Sequence, residues 1–385
     1  MITDRRYAEN NAKDHAIAFQ TAIYIASEDD RRSSDLAENL LIMLLWLAEL
    51  TGASFLLSYG AEHLSMKYGA KFVGRTLLSV ATTLPEIAIV IYAAAGGSYG
   101  IAIGAGLGSN LLMMTLGLAI MLLIATTRLS KSPLRGVDVA TFKLDKIFLI
   151  ATAVISAVLF IDGYNYIDGI VFAGMFGAYL VMALLEMKAE SKLPKKPERE
   201  VVGDHHKVVR VTDDGNNKGS GGMSKAMLAF AAGTAGIFLG ASPFIASLQG
   251  YSLEVGVSVI VLAVIISPIA GEMPEKISMM LLARKGAAGA SIAVANVLGS
   301  KILNNTLLLA VAVFGAMYHG GFEAIIEANQ HLTYQMILVT TVTIIALIPM
   351  VVRRAIGLKV GVMLAAFYVI SMIIQFLLPQ DLTLH

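Results

Sequence analysis

Two glutamates lie inside long apolar segments of the sequence, and each directly follows a proline. Glu86 belongs to the stretch ATTLPEIAIV, and Glu275 belongs to the stretch AGEMPEKISM. Ionisable side chains are rare inside membrane-spanning segments and usually have a function there. Proline has no N–H, so it frees the carbonyl group four residues earlier, and a carboxylate beside a free carbonyl oxygen is a hard-oxygen set that Ca²⁺ and Na⁺ prefer. The two stretches therefore predict a cation-binding site.

These stretches belong to a longer pattern that the sequence contains twice. At nearly equal spacing, Glu86 is followed by Gly-Ser-Asn at residues 108–110 and Glu275 by Gly-Ser-Lys at residues 299–301. A single membrane proline can be only a kink, and a serine there commonly bonds its own backbone, but repetition at matching positions favours a shared function. The candidate ligands are Glu86, Glu272, Glu275, Ser79, Thr82, Thr83, Ser109, Ser300, Asn110 and Asn304, and Asn305 is a further amide close to them.

The composition is that of a polytopic membrane protein. Of the 385 residues, 56% are hydrophobic and only 15% are charged, and the charges cluster between long apolar runs. The net charge of +1 gives no indication of a nucleic-acid partner, so we expect inorganic cations and the lipid bilayer as partners. Without cysteine the chain has no disulfide, no thiol chemistry and no cysteine metal site. The stretch MITDRRYAEN lacks the apolar core of a cleaved signal peptide, and we expect no cofactor.

Ten apolar segments are long enough to be membrane-spanning helices, which need roughly 20 residues each. They lie at 39–60, 72–95, 101–125, 146–162, 167–186, 225–247, 254–282, 288–316, 333–351 and 355–378. We divide the chain into an N-terminal tail (1–38), a first membrane repeat (39–186), a cytoplasmic linker (187–224) and a second membrane repeat (225–385). Because each half has an odd number of helices, two similar halves must have opposite orientations, as in many secondary transporters. The predicted fold class is an all-α polytopic membrane protein with ten transmembrane helices in two inverted five-helix repeats.

The distribution of lysine and arginine orients this arrangement in the membrane. Basic residues fall in alternate loops and in the linker, whereas the loops between them carry only acidic residues. Because basic loops stay in the cytoplasm, the linker is predicted to be cytoplasmic and both termini to lie outside, in a prokaryotic plasma membrane. The N-terminal tail, which carries several basic residues, is the exception to this rule.

Together the motifs resemble those of the calcium/cation antiporter superfamily, whose members have two inverted five-helix repeats, each with a motif of the type GTSLPE followed by GNxxGSN. Here the first motif reads ATTLPE and GAGLGSN, and the second reads AGEMPE and ANVLGSK. The LPE and GSN signatures are nearer to those of sodium/calcium exchangers than to the GNxxEH of proton/calcium exchangers. The resemblance implies that Glu86 and Glu275 are the central ion-binding carboxylates. The other residues that match ligand positions of the family are Thr82, Thr83, Ser109, Ser300 and Asn304.

The sequence departs from the family pattern at several positions of the site. Glu272 stands where the second motif has a serine, and Lys301 replaces the asparagine of the second GSN. The other departures are Gly271, Met113, Ala105 and Lys276. One interpretation is that Glu272 and Lys276, four residues apart on one helix, pair and cancel each other. The alternatives are that Glu272 is an additional cation ligand, or that Lys301 partly occupies a sodium position as a tethered cation.

The predicted function is secondary antiport of Ca²⁺ against Na⁺ through a midplane site of paired glutamates. Coupling to H⁺ and transport of another divalent ion, such as Mg²⁺ or Mn²⁺, are open alternatives, and a cation channel would share the acidic oxygens without coupling two flows. An intramembrane enzyme is disfavoured because the candidate core has no His, no Cys and no HExxH motif. We therefore expect a transporter rather than an enzyme, and a monomer is consistent with the sequence. For Glu49, in the first predicted helix, three roles are open: a proton-coupling group, a part of the entry path, or an interhelical hydrogen-bond partner.

Overall fold

The computed structural model describes residues 36–60, 73–192 and 220–377. Nearly all of the predicted N-terminal tail and most of the predicted linker therefore lie outside the described residues. In the described part the chain forms ten long helices, each of which overlaps one of the predicted apolar segments. They are α1 (Leu36–Gly60), α2 (Val73–Ala95), α3 (Tyr99–Thr126), α4 (Lys143–Asp162), α5 (Tyr166–Lys192), α6 (Ser220–Val255), α7 (Val259–Ala283), α8 (Ala287–Gly320), α9 (Gln330–Val352) and α10 (Leu358–Leu377).

Eight of these ten helices are long and apolar enough to cross a membrane. In the other two, α2 and α7, the apolar stretches among the described side chains are Thr83–Ala95 and Val259–Met273. These are the two helices that carry the Pro-Glu motifs. That all ten helices span the membrane stays a prediction, as does the inverted repeat.

Helix boundaries in the second half follow local backbone chemistry. The helix α6 runs on to Val255 and is followed by Gly256 with a φ of 65°, so α7 begins only at Val259 rather than at the predicted residue 254. The predicted break at Arg353 and Arg354 is confirmed, because α9 ends at Val352 and Arg353 adopts an extended backbone with φ −107° and ψ 148°.

Two inner helices, α3 and α8, lie at the centre of the molecule. In each of them 78% of the apolar segment is buried, whereas α1, α5 and α10 bury 28% or less of theirs and form the periphery. The helix α3 crosses α7 closely at Gly108, where a Cβ atom would lie only 2.0 Å from the carbonyl oxygen of Val264. No side chain fits at this position, and the close approach brings the next residue, Ser109, against α7.

Both inner helices contain one irregular turn, and the two turns occupy matching positions. A π-helical turn at Met113–Gly117 interrupts α3, and another at Asn304–Leu308 interrupts α8. Each begins one turn after the serine of a Gly-Ser pair, Ser109 or Ser300. Single π-turns inside α-helices occur frequently at functional sites. The hydropathy pattern did not predict these π-turns, and they lie in the same region of the helices as the sequence motifs.

The loops of the two halves pair with each other reciprocally. Strand β1 (Val137–Asp138), between α3 and α4, pairs antiparallel with β2 (Ala355–Ile356), between α9 and α10. Beyond the other end of α4, Tyr164 forms a bridge with Ile326, which lies between α8 and α9. In each half, the loop after the third helix therefore pairs with the loop after the fourth helix of the other half.

Candidate cation-binding site

The carboxylates of the two Pro-Glu motifs are both buried, with only 2% of each residue exposed. Glu86, on α2, places its carboxyl group directly against Gly271 of α7, where a Cβ atom would lie 2.8 Å from the carboxyl carbon. The missing side chain at Gly271 therefore makes room for the Glu86 carboxylate. Within the described residues, Oε2 of Glu86 has no hydrogen-bond partner. A buried acceptor without a partner costs free energy of desolvation. Binding of a cation or of a proton by this oxygen would remove that cost.

Glu275, on α7, is held by two donors from α8. The side-chain amide of Asn296 donates a hydrogen bond of 2.9 Å to Oε1 of Glu275, and the hydroxyl of Ser300 donates one of 3.0 Å to the same oxygen. Two hydrogen bonds to one oxygen fix the carboxylate while leaving the lone pairs of its other oxygen for a ligand. Asn296 was missed by the sequence analysis, although it lies one helical turn before Ser300 and in the same quoted motif.

Glu272 forms a fully buried ion pair with Lys301, and both residues are 0% exposed. The hydroxyl of Ser109 donates to the same carboxylate oxygen, and the Lys301 ammonium lies 2.5 Å from the Ser109 oxygen. The amide of Asn304 also donates to the Ser109 oxygen, at 2.6 Å. We call Glu272, Lys301, Ser109 and Asn304 the ammonium cluster, because the lysine cation contacts oxygens from α7 and α3 and these residues join three helices.

Lys276 is not the main partner of Glu272. Its ammonium lies 4.0 Å from the second carboxylate oxygen of Glu272 and instead donates a hydrogen bond of 2.8 Å to the carbonyl oxygen of Pro268. The Lys276 side chain is 12% exposed, whereas Lys301 is entirely buried. Of the interpretations open from the sequence, the geometry thus favours Lys301 as the cation that neutralises Glu272.

Among the described residues, two amide groups have side-chain oxygens without partners, one within the ammonium cluster (Asn304) and one beside it (Asn110). Asn110 donates a hydrogen bond of 2.5 Å to the side-chain oxygen of Asn305. In the described part of the chain, the side-chain oxygens of Asn110 and Asn304 accept no hydrogen bond. Both residues line a small cavity between α3, α4, α8 and α9, together with Ser156 and Thr343. Neutral oxygens of this kind are ligands for hard cations.

The remaining predicted residues fall into two groups. Thr83 is buried on α2 near Glu86, and Ser79 and Thr82 lie on the same helix, but the side chains of these last two are outside the described part. Glu49 does not join the site. It lies between α1 and α6, where a Cβ atom at Gly240 would be 1.9 Å from its Oε2. A helix rich in glycine thus makes space for the Glu49 carboxylate at a different interface.

The site is built from buried carboxylates, hydroxyls and amides on helices that cross in the interior of a helical bundle, which is the arrangement of a membrane transporter for small cations. The sequence profile of the family described as "Sodium/calcium exchanger protein" matches residues 38–185 and 225–377. The chain belongs to this family, and the predicted resemblance to calcium/cation antiporters is thereby confirmed. The protein is an integral membrane protein with transmembrane helices, and it is a cation antiporter.

Three similar proteins illustrate the relationship. The sodium/calcium exchanger MaX1 of Methanosarcina acetivorans is 26% identical over 364 residues, which cover 88% of this chain and 98% of MaX1. The crystal structure of the H⁺/Ca²⁺ exchanger CAX has a TM-score of 0.68 at 20% identity and covers 89% of this chain and 82% of CAX. A structure of the sodium-calcium exchanger NCX_Mj has a TM-score of 0.54 at 20% identity and covers 87% and 97%. At these identities the two structural matches show a shared fold.

Proposed function

We propose that this protein exchanges Ca²⁺ for Na⁺ at a site between Glu86 and Glu275. One observation carries the proposal: two buried carboxylates on different helices have no ion-pair partner among the described residues, because the buried lysine is paired with Glu272. Free oxygens on Glu86, Asn110 and Asn304 lie in the same region of the molecule. Such a set suits a hard cation that is cargo rather than a resident cofactor.

The charge of the site explains how two flows would be coupled. Two uncompensated carboxylates are neutralised by one divalent cation or by two monovalent cations, and both kinds of cation compete for the same oxygens. An empty site would leave two like charges in a low-dielectric interior, which is strongly unfavourable. The protein therefore changes its orientation only when the site is loaded, and this requirement makes it an antiporter rather than a channel.

The proposed architecture for this cycle is two inverted repeats of five membrane-spanning helices. The matching π-turns of α3 and α8 and the reciprocal pairing of loops support two halves of similar construction. In this arrangement α2, α3, α7 and α8 hold the ion near the midplane of the membrane, with the linker in the cytoplasm and both termini outside. Alternating access would come from the outer helices moving past these four.

Coupling to H⁺ is a second candidate, and the partnerless Oε2 of Glu86 favours it. A protonated carboxyl group is neutral and needs fewer neutral oxygens than a bound Na⁺. In this chain Lys301 and Met113 stand where the family pattern has polar groups, so the set of neutral oxygens is smaller. The two candidates share the same glutamates and differ only in what replaces Ca²⁺.

Uptake of ⁴⁵Ca²⁺ into proteoliposomes distinguishes these candidates. We expect vesicles loaded with Na⁺ to accumulate ⁴⁵Ca²⁺, and vesicles loaded with K⁺ to do so only weakly, because Na⁺ is the ion that leaves as Ca²⁺ enters. Uptake driven by an imposed pH gradient without Na⁺ would assign proton coupling instead. Flux that dissipates the Ca²⁺ gradient without any counter-ion would indicate a channel, and no flux under either gradient would refute Ca²⁺ as the substrate.

A further inference from the structure

We propose that the ammonium group of Lys301 acts as a permanently bound cation of the transport site, so that one divalent cation is exchanged for two monovalent cations without net movement of charge. This inference rests on the proposed function and specifies the stoichiometry of the same site. It holds for Na⁺ and for H⁺ alike, because it depends on charge and not on the identity of the monovalent ion.

The position of the Lys301 ammonium is one that a free cation would otherwise occupy. The ammonium contacts a carboxylate oxygen of Glu272 and lies 2.5 Å from the hydroxyl oxygen of Ser109. These oxygens come from α7 and α3, and the lysine comes from α8, so the contact joins three helices. Ser109 also matches a ligand position of the family. The cation therefore binds two oxygens that a free ion could otherwise use, but it is covalently attached and cannot leave.

Glu272 compensates the charge of the Lys301 ammonium. A buried ammonium is tolerated only with a compensating charge and further hydrogen bonds, and Glu272 supplies the charge while Ser109 supplies the hydrogen bond. Glu272 and Lys301 are both departures from the family pattern, and the structure brings them into direct contact. The pair adds one negative and one positive charge, so it removes a cation position without changing the total charge of the site.

The remaining charges set the stoichiometry. Glu86, Glu272 and Glu275 are three buried carboxylates, and the Lys301 ammonium leaves two negative charges for mobile ions. Lys276 lies at the edge, where it is bonded to the Pro268 carbonyl and partly exposed, and its charge is the same in every loading state. One Ca²⁺ or two monovalent ions give equal charge to the site. The oxygens that a third monovalent ion would bind are already occupied by the Lys301 ammonium. Such an ion would also add an uncompensated charge to a low-dielectric interior.

The test is the dependence of the equilibrium Ca²⁺ gradient on membrane potential, in proteoliposomes clamped with K⁺ and valinomycin. If one net charge moved per cycle, about 60 mV would shift this gradient about tenfold. For the unmodified protein we expect no shift. A tenfold shift in the unmodified protein would overturn the inference while leaving Ca²⁺ exchange intact, whereas absence of coupled Ca²⁺ transport would refute the proposed function itself.

Three variants test the role of the lysine. Lys301→Asn supplies an amide oxygen and leaves three uncompensated carboxylates, so we expect a third monovalent ion to bind and the tenfold potential dependence to appear. Glu272→Gln combined with Lys301→Asn restores two negative charges and is expected to be independent of potential again. Lys285→Asn, the same change in the exposed turn between α7 and α8, is the control and is expected to behave like the unmodified protein. A folded Lys301→Asn variant whose Ca²⁺ gradient stays independent of potential would contradict the inference. If this variant does not fold, the potential dependence of the unmodified protein still tests the inference.

Discussion

Replacing Glu275 by glutamine is expected to lower Ca²⁺ exchange about a hundredfold or more, because truncating the charge of a buried, hydrogen-bonded site costs several kcal/mol. The amide oxygen of glutamine can still accept the hydrogen bonds from Asn296 and Ser300, so the helices should keep their places. What is lost is half of the charge that holds the ion. Uptake of ⁴⁵Ca²⁺ into proteoliposomes, normalised to the amount of inserted protein, measures the effect.

Glu86→Gln should show a loss of the same order, because both carboxylates are needed to neutralise a divalent cation. The matched control is Glu323→Gln, which makes the same change on an exposed residue of the loop between α8 and α9 and should leave exchange intact. Exchange at the unmodified rate by folded Glu275→Gln protein would mean that the ion does not bind at this carboxylate.

Replacing Lys301 by methionine is expected to destabilise the protein by about 3–5 kcal/mol in buffer free of Na⁺ and Ca²⁺. The reason is that the change leaves Glu272 as a fully buried carboxylate with no compensating charge. Thermal unfolding of the purified protein in choline buffer measures the loss. Added Na⁺ should stabilise the variant more than it stabilises the unmodified protein, because a free cation can then fill the position of the ammonium.

Removing both partners should restore most of the lost stability. A buried ion pair can often be replaced by uncharged groups at little cost, whereas breaking it from one side is expensive. The variant with Glu272→Gln and Lys301→Met is therefore expected to unfold near the temperature of the unmodified protein, which would give a large coupling energy between the two residues. Additive losses in the double variant would show that the two side chains act independently, contrary to the geometry.

Hydropathy and local motifs were sufficient to predict most of the fold. Each of the ten helices overlaps a predicted segment because long, nearly uncharged runs are visible in the sequence without any tertiary information. The break at Arg353 was visible because Arg353 and Arg354 interrupt the uncharged run. The π-turns at Met113–Gly117 and Asn304–Leu308 were not predicted, because an inserted π-turn leaves no distinct hydropathy pattern in the sequence.

The site was predicted less completely than the fold, because its contacts join residues far apart in the sequence. Spacing along one helix suggested that Glu272 pairs with Lys276, but the buried partner is Lys301 from α8. No local rule ranks these two lysines, since the choice depends on how closely α3, α7 and α8 cross. Asn296 was missed because its role arises only when α8 lies against Glu275.

Gly271 shows how an apparent loss in the motif can be a gain in the structure. From the sequence it is a missing hydroxyl ligand, whereas in the fold it provides the space in which the Glu86 carboxylate lies. A Cβ atom at this position would lie 2.8 Å from the carboxyl carbon of Glu86, so the carboxylate would have to move from its place. The effect could not be read from α7 alone, because the space is occupied by a residue of α2.

The most direct test of the account is the binding of Ca²⁺ to the purified protein, measured by isothermal titration calorimetry and by equilibrium dialysis with ⁴⁵Ca²⁺. We predict one Ca²⁺ per chain, displaced competitively by the coupling monovalent ion, and no measurable binding to either Glu86→Gln or Glu275→Gln protein of intact fold. Unchanged binding of Ca²⁺ by both variants would contradict the claim that these two carboxylates hold the transported ion.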